Sequence, residues 1–511
     1  MAAGQQGNRG EDTRASRAEG SGTVIARRLW WRALVDGTGN VVRAVTDSET
    51  RALCGTTPVS RGRVVAPSLS RRCHSAGARS PSLSVKTVLT SATYCIISRV
   101  DTGTNNSPAI VLITIDRTTS SVVFTRSDMQ EARFPLNSPM FDNTSNLARI
   151  DVPSSFDALL VTTLAGDQIL FEMPTDEVDR LAQRLVIYLD QNQWSALSNA
   201  IHGRQTSPEV RTAAQKLQEW VEQRRIILPA SAGHYYETSK WFDNQRRYQL
   251  GLTILQYSRG WLMRDPLKVR RNELHDHMHQ HKGTGYSRSE PVFTLAANAL
   301  YSKVRDSSLP PYTDSPEISL SRQFEALREA VASIDTMLDA EPIEPGPDTG
   351  WAAVNQLFSD AIDGENLDSQ QKRKIIDAFL LKDLTAEMAH EAATAGLTTE
   401  QFEKWLKRYA LKGYEGLHSI GLFREMMLNR HLNKGTKWTS NDCTDMVYLS
   451  CAAGYADVVV CERHMRDPLQ HGLRRKGLKA HTFRRLPEAV AAIERMLKES
   501  AAPQAETAET S

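Results

Sequence analysis

Apolar and polar positions along this chain change rhythm repeatedly, and each rhythm predicts a different kind of element. Between residues 85 and 175, "VKTVLTSATYCIISRV", "AIVLITIDRTTSSVVFTR" and "DALLVTTLAGDQILFEMP" interleave Val, Ile, Thr and aromatics with polar residues. That is the period-2 pattern of strands with one buried face. "LAGDQ" stands where a hairpin must reverse, with Gly166 able to take positive φ. The segment reads as a small antiparallel β domain.

The pattern then switches. "PTDEVDRLAQR" (174–184) reads as a helix capped by Thr175, and it runs into the apolar strand "VIYLD" ending at Asp190. "SPEVRTAAQKLQEWVEQRR" (207–225) is a helix with Pro208 at its first position and Val210, Leu217 and Val221 along one face. "IILPAS" (226–231) is a short buried-type strand, followed by a segment carrying Glu237. From 240 to 435 the reading is almost wholly helical: Phe324, Leu327, Val331, Ile334 and Leu338 form a buried stripe, 341–350 is a linker, and Gly396 and Gly413 are breaks. At 440 a helix, a strand ("ADVVVCE"), a second strand ("KAHTFRR") and a closing helix (487–497) follow. Alternating strands and helices imply a parallel α/β sheet with its site at the strands' carboxyl ends.

The expected organisation is therefore α/β and in six parts. A disordered basic arm (1–84) and a β-rich accessory domain (85–175) precede the first part of the α/β core (176–240). A helical insertion (241–439), the second part of the core (440–497) and a disordered tail (498–511) complete it. The overall charge of +2 hides the basic arm, since no Asp or Glu occurs from Thr50 to Val100. Six cysteines, none spaced C-x-x-C, argue against a disulfide framework or zinc ribbon and for a reducing cytoplasm. No stretch reads as a signal core or membrane helix, so no membrane partner is expected. The Ala- and Arg-rich usage points to a GC-rich bacterial genome.

Chemistry enters with the acids at the strand ends. Asp190 ends one strand, Glu237 follows the next, Asp442 and Asp445 lie one turn apart on a helix, and Glu462 ends "DVVVCE". If the sheet is parallel, these carboxylates converge, and converging carboxylates repel and raise one another's pKa. A divalent cation relieves that repulsion; all-oxygen donors favour Mg²⁺ or Mn²⁺.

The set "YLDQNQW", "ILPASAGHYYET" and "NDCTDMVYLSCAAGYADVVVCERHM" resembles the PIN-domain (PilT N-terminus) nucleases. Asp190 matches the family's first acid, Glu237 the second, and Asp445 the third within D-x-x-h-x-x-x-A. Glu462 stands where the family more often has Asp. The resemblance covers about 185–240 and 440–497, and the long helical block departs from it. It implies a PIN-like sheet and a metal-dependent endoribonuclease, with Asp190, Glu237, Asp445 and Glu462 as catalytic metal ligands. Asp442 is a further candidate ligand, and Asn192 and Asp457 are candidates for supporting or substrate contacts. The implied partner is RNA, with single-stranded DNA as the variant, and the insertion would serve substrate access, self-association or a regulatory protein. The rival expectation is a lapsed PIN-like module that binds RNA or protein without cleaving.

Plainer roles exist for the same residues. Asp190 suits a helix cap, Asp442 and Asp445 suit the positive end of a helix dipole, and Glu237 could pair with Lys240 or Arg246. Asp457 begins its strand and suits a structural role. Trp194 reads as core, while Tyr235 or Tyr236 is a candidate stacking surface. The histidines of "NELHDHMHQHKG" lack a partnering cluster. The basic run at 471–485 suits either a phosphate backbone or a solvated face.

Overall fold

The computed structural model describes residues 108–136, 146–174, 177–285, 287, 290–302, 316–339, 350–410 and 412–501. The arm expected over 1–84, the start of the β domain, Thr175 and most of the 341–350 linker lie outside the described residues.

Six strands come first: β1 (Ile110–Asp116), β2 (Ser121–Arg126), β3 (Glu131–Pro135), β4 (Leu147–Pro153), β5 (Ala158–Thr163) and β6 (Gln168–Glu172). They form one antiparallel sheet in the order β3-β2-β1-β4-β5-β6. The expected alternation holds in β5, where Leu159, Val161 and Thr163 are buried and their neighbours half-exposed. Gly166 takes φ +90° in the β5–β6 turn.

After helix α1 (Glu177–Ala182) the chain enters β7 (Leu185–Leu189), α2 (Gln191–Ile201), α3 (Pro208–Glu222), β8 (Ile226–Ile227) and α4 (Ala232–Ser239). Then come α5 (Asn244–Ser258), β9 (Leu262–Met263), α6 (Pro266–Lys282), β10 (Phe293–Thr294) and α7 (Pro316–Met337). Helices α8 (Trp351–Gly364), α9 (Ser369–Thr394), α10 (Thr399–Trp405), α11 (His418–Leu432) and α12 (Ser440–Tyr455) lead to β11 (Val458–Val460). Helix α13 (Arg463–Lys476), β12 (His481–Phe483) and α14 (Leu486–Ala501) close the chain. The second sheet is parallel, in the order β12-β11-β7-β8.

Two expectations need correcting. The block 241–439, expected to be almost wholly helical, also holds a separate two-stranded sheet: β9 pairs with β10, and Leu262 forms an isolated parallel bridge to Ala230, just after β8. Strands of two residues are too short to display a period, so the sequence pattern passes over them. The final helix runs to Ala501, past the expected tail boundary at 498.

The insertion is also part of the core. Ile187 and Leu189 of β7 face one layer with Trp194, Leu217 and Val460, continuous with Leu147, Leu159 and Phe171 of the first sheet and Ile334 and Leu338 near the end of α7. Val186 and Tyr188 face the opposite way with Val459, Leu384, Trp405, Met426 and Leu449. A parallel strand must be covered on both faces, and the helical block supplies the second cover.

The first sheet is joined to the rest of the fold by part-buried contacts. The Glu172 carboxylate accepts from Arg184 Nη1 at 3.1 Å, and Tyr248 Oη lies 2.8 Å from Asp167. Gly260, at φ +88°, lies against β6: a Cβ there would stand 2.8 Å from the Phe171 ring and 2.9 Å from the Glu172 carbonyl oxygen. Gly283, at φ +79°, faces open space. Gly260→Ala is therefore expected to lower unfolding stability by on the order of 2 kcal/mol or more, combining left-handed strain with a clash, whereas Gly283→Ala costs only the strain. Urea titrations followed by Trp fluorescence measure both; equal losses would contradict the close packing at Gly260.

Candidate functional site

Strand register brings the acids together. In β7 and β11, Val458 pairs with Ile187, Val459 with Tyr188 and Val460 with Leu189, so both chains leave the sheet side by side. Connections run outward in opposite directions from this pair, through β8 on one side and β12 on the other. Such a switch point is where open parallel sheets hold ligands. Asp190 N–H still donates to the Val460 carbonyl at 3.0 Å. Its Oδ1 then accepts from Gln193 N–H at 2.9 Å, capping α2, and its Oδ2 accepts from Glu462 N–H at 3.0 Å. The capping role is real, but two accepted bonds leave part of the capacity of an ionised carboxylate open.

Glu462 is exposed at the start of α13, where its carboxylate accepts from the Asn192 amide and lies 3.2 Å from His464 Nδ1. Arg463 and Arg466, which sequence proximity suggests as partners, turn instead to Asp467 at 3.9 and 3.0 Å. Cys461, next to Glu462, is fully buried, and burial pushes its thiol up, so it is a packing residue.

Asp445 lies half-buried on α12, and Glu237 half-buried on α4. These helices meet where Gly233 of α4 lies against the Tyr448 ring of α12; a Cβ at Gly233 would stand 3.4 Å from it. Helix α4 is tied to α2 by Gln191 Nε2 donating to Thr238 Oγ1 at 3.0 Å. Glu237 pairs with Lys240 at 2.7 Å, while Arg246 pairs with Asp243.

Two candidates fall to structural duties. Asp442 is buried: its Oδ2 accepts from Thr439 N–H at 2.5 Å, closing a capping box, and from Arg430 Nη2 at 2.8 Å. Same-face spacing with Asp445 holds along the helix, but Asp442 serves the fold. Asp457 sits at the amino end of β11, accepting from Val186 N–H at 2.8 Å. It is five residues before Glu462, roughly 16 Å along an extended chain, and so is removed from the acid group.

The remaining acids sense one another. Burial pushes the Asp190 carboxyl up to about 7, and the charges of Glu462 and Asp445 add to this against the lowering hydrogen bonds from Gln193 and Glu462 N–H. Burial raises Asp445 to about 6; His464 opposes the rise, while Glu237, Asp442 and Glu462 add to it. Among the described residues, however, no three His, Cys, Asp or Glu stand together as a ready metal-holding group.

Known protein families, curated proteins and solved structures offer no match to this chain. The site is read from its own geometry.

A cleft of about 830 Å³ opens beside the acids. Glu462 and Asn192 lie on its wall with Arg430, Arg463, Arg484 and Arg485, whereas Asp190, Asp445 and Glu237 do not. Arg484 is held by Asp467 at 3.0 Å, and Arg485 is exposed with no ion pair among the described residues. Arg484 and Arg485 belong to the basic run at 471–485; Arg430 arrives from α11, and nothing in the linear pattern announces it. The histidines of α6 lie elsewhere: His275 Nδ1 is 3.2 Å from Glu391 in a buried contact, and His277 Nδ1 accepts from Trp405 at 2.9 Å in a part-buried one. Trp194 is fully buried core.

The raised carboxyls set a pH dependence. Both bind protons more tightly folded than unfolded, so their contribution favours folding below about pH 4 and is lost as pH rises through about 6 to 7. Asp445→Asn in EDTA should therefore raise the thermal midpoint at pH 8, by a gain on the order of 1–3 kcal/mol after allowing for solvent screening, with little effect at pH 4. Thermal melts at the two pH values check this; a lower midpoint for the variant at pH 8 refutes the cost of holding Asp445 charged in its buried setting.

Proposed function

We propose that the chain is a PIN-like, metal-dependent nuclease that hydrolyses RNA phosphodiesters, with Asp190, Asp445, Glu462 and Glu237 as its ligand set. The observation that carries this reading is the β7–β11 register, which sets Asp190 beside Glu462 at the switch point, with Asp445 close enough that neighbouring charges help raise both Asp carboxyls. The donor set is all oxygen and anionic, and it fits Mg²⁺ or Mn²⁺. When bound, the ion would supply activation of water and neutralisation of charge at the phosphate.

The chain's own groups do the rest. Asp190 and Asp445 release their protons on loading, Asn192 holds Glu462 in place, and Arg463 and Arg485 offer charge to a phosphate backbone in the adjoining cleft. No side-chain nucleophile is needed.

A second reading, a lapsed module that binds nucleic acid on this face, is favoured by the Lys240 amine seated on Glu237 and by the absence of a ready three-residue metal group among the described residues.

Two measurements separate the readings. Purified full-length protein should cleave a fluorescent RNA with Mn²⁺ and not with EDTA, and Asp190→Asn should reduce the rate by on the order of 100-fold or more. Equal rates in variant and wild type would end the nuclease reading. Millimolar Mn²⁺ should also raise the thermal midpoint of the wild type and not that of Asp190→Asn; no shift in either favours the lapsed module.

A further inference from the structure

Helix α4 carries Glu237 toward the acid group, and the large rings at its end and in the next loop stand outside the fold's core. Tyr236 is 38% exposed, Trp241 36% and Phe242 88%. Three large rings within seven residues thus present apolar surface to water, which disfavours it. The loop bearing two of them is held firmly. The buried Arg247 guanidinium donates to the Trp241 carbonyl, to Asn244 Oδ1 at 2.9 Å and to the Asp339 carbonyl at 3.1 Å. Asp243 caps α5 by accepting from Arg246 N–H at 3.0 Å. A buried arginine and a helix cap thus fix a loop whose side chains point outward, an arrangement that presents the rings at low ordering cost on binding.

Two basic groups flank the rings, each paired with a single neighbouring carboxylate. Lys240 Nζ lies 3.9 Å from the Tyr236 ring centroid and 2.7 Å from Glu237, and Arg246 is an exposed partner of Asp243 at 3.4 Å. Exposed aromatics flanked by cations are the chemistry of single-stranded nucleic acid, whose bases stack while its phosphates pair with Lys and Arg. A duplex keeps its base faces inside and offers nothing to stack.

We propose that Trp241 and Phe242, with Tyr236, form a stacking platform for unpaired bases of a strand whose neighbouring phosphate lies at the acid group. This rests on the nuclease reading and adds to it a surface that selects single strands. The strand would run from the arginine cleft beside Glu462, past Asp445 and Glu237, to the aromatic loop.

The test separates binding from cleavage. In EDTA, anisotropy is measured for the full-length wild type and for Trp241→Ala/Phe242→Ala against a fluorescent single-stranded RNA, the same sequence as a duplex, and an abasic strand of equal length. The variant should bind the single strand roughly tenfold or more weakly, with duplex and abasic strand unchanged and Trp241→Phe/Phe242→Tyr close to wild type. Phe242→Ala alone, at the most exposed ring, covers the case in which the double variant misfolds. Unchanged single-strand binding, or equal loss for all three probes, overturns the platform. So does a wild-type dimer that becomes monomeric in the variant, which would make the patch a self-association face. Cleavage with Mn²⁺ is scored separately. Selective binding without cleavage fails the nuclease and leaves the platform, whereas cleavage with an unchanged KM in the variant fails the platform and leaves the nuclease.

Discussion

The parallel pairing of Leu185–Leu189 with Val458–Val460 is the constraint on which the rest of this structure depends. It joins segments about 270 residues apart, as the Glu462–Asp190 hydrogen bond illustrates with a separation of 272. Closing so long a span costs entropy, but only slowly with length, so a well-packed hydrophobic strand pair can hold it. Val458, Val459 and Val460 are fully buried, and so are Ile187 and Leu189 within about 1%. A slip of one residue would invert the strand's two faces and carry Asp190 away from Glu462 together. Apolar packing here sets the geometry of the charges.

Those charges are held in opposition to the fold. Backbone N–H groups from Gln193 and Glu462 stabilise the Asp190 carboxylate, while burial and neighbouring acids destabilise it, and the second influence prevails. Glu462 and Glu237 also have resident partners: Asn192 and His464 on the first, Lys240 on the second. Asp442 shows the contrasting outcome, since Arg430 and a capping box bind it into the structure. Asp442 and Asp445 thus differ in the partners the fold gives them, not in their spacing along the helix.

How much of this is legible in the sequence depends on what linear patterns encode. The helix Ser440–Tyr455 and the alternation of β5 are readable because each buries a face with a regular period, and the uniform apolar run at Leu185–Leu189 because a strand covered on both faces needs no polar positions. The strands Leu262–Met263 and Phe293–Thr294 are not, having no length over which a period can appear. The strand-end placement of Asp190 and Glu462 is readable from where the runs stop. Asp457, close to Glu462 in sequence, misleads as a site candidate because proximity along a strand says nothing about which end faces the site. Arg430 escapes notice because it reaches the cleft only through the packing of α11. "KWFDN" does carry a signal, two large aromatics ahead of a capping Asp, but exposure is a property of the folded surroundings.

The Glu237–Lys240 pair links the two halves of the proposed mechanism. The Lys240 ammonium neutralises the Glu237 carboxylate and lies over the Tyr236 ring. A half-buried pair at i,i+3 on a helix surface contributes little stability, so little is lost when it is exchanged. On the proposed reading Glu237 would help hold the cation, which would leave the Lys240 ammonium beside exposed aromatics without its carboxylate and open to a nucleic-acid phosphate. Loading of the acids and capture of the strand would then favour one another through a single ion pair. The same pair, if it never opens, leaves Glu237 neutralised in place and the acid group one donor short, and this is the physical content of the lapsed alternative.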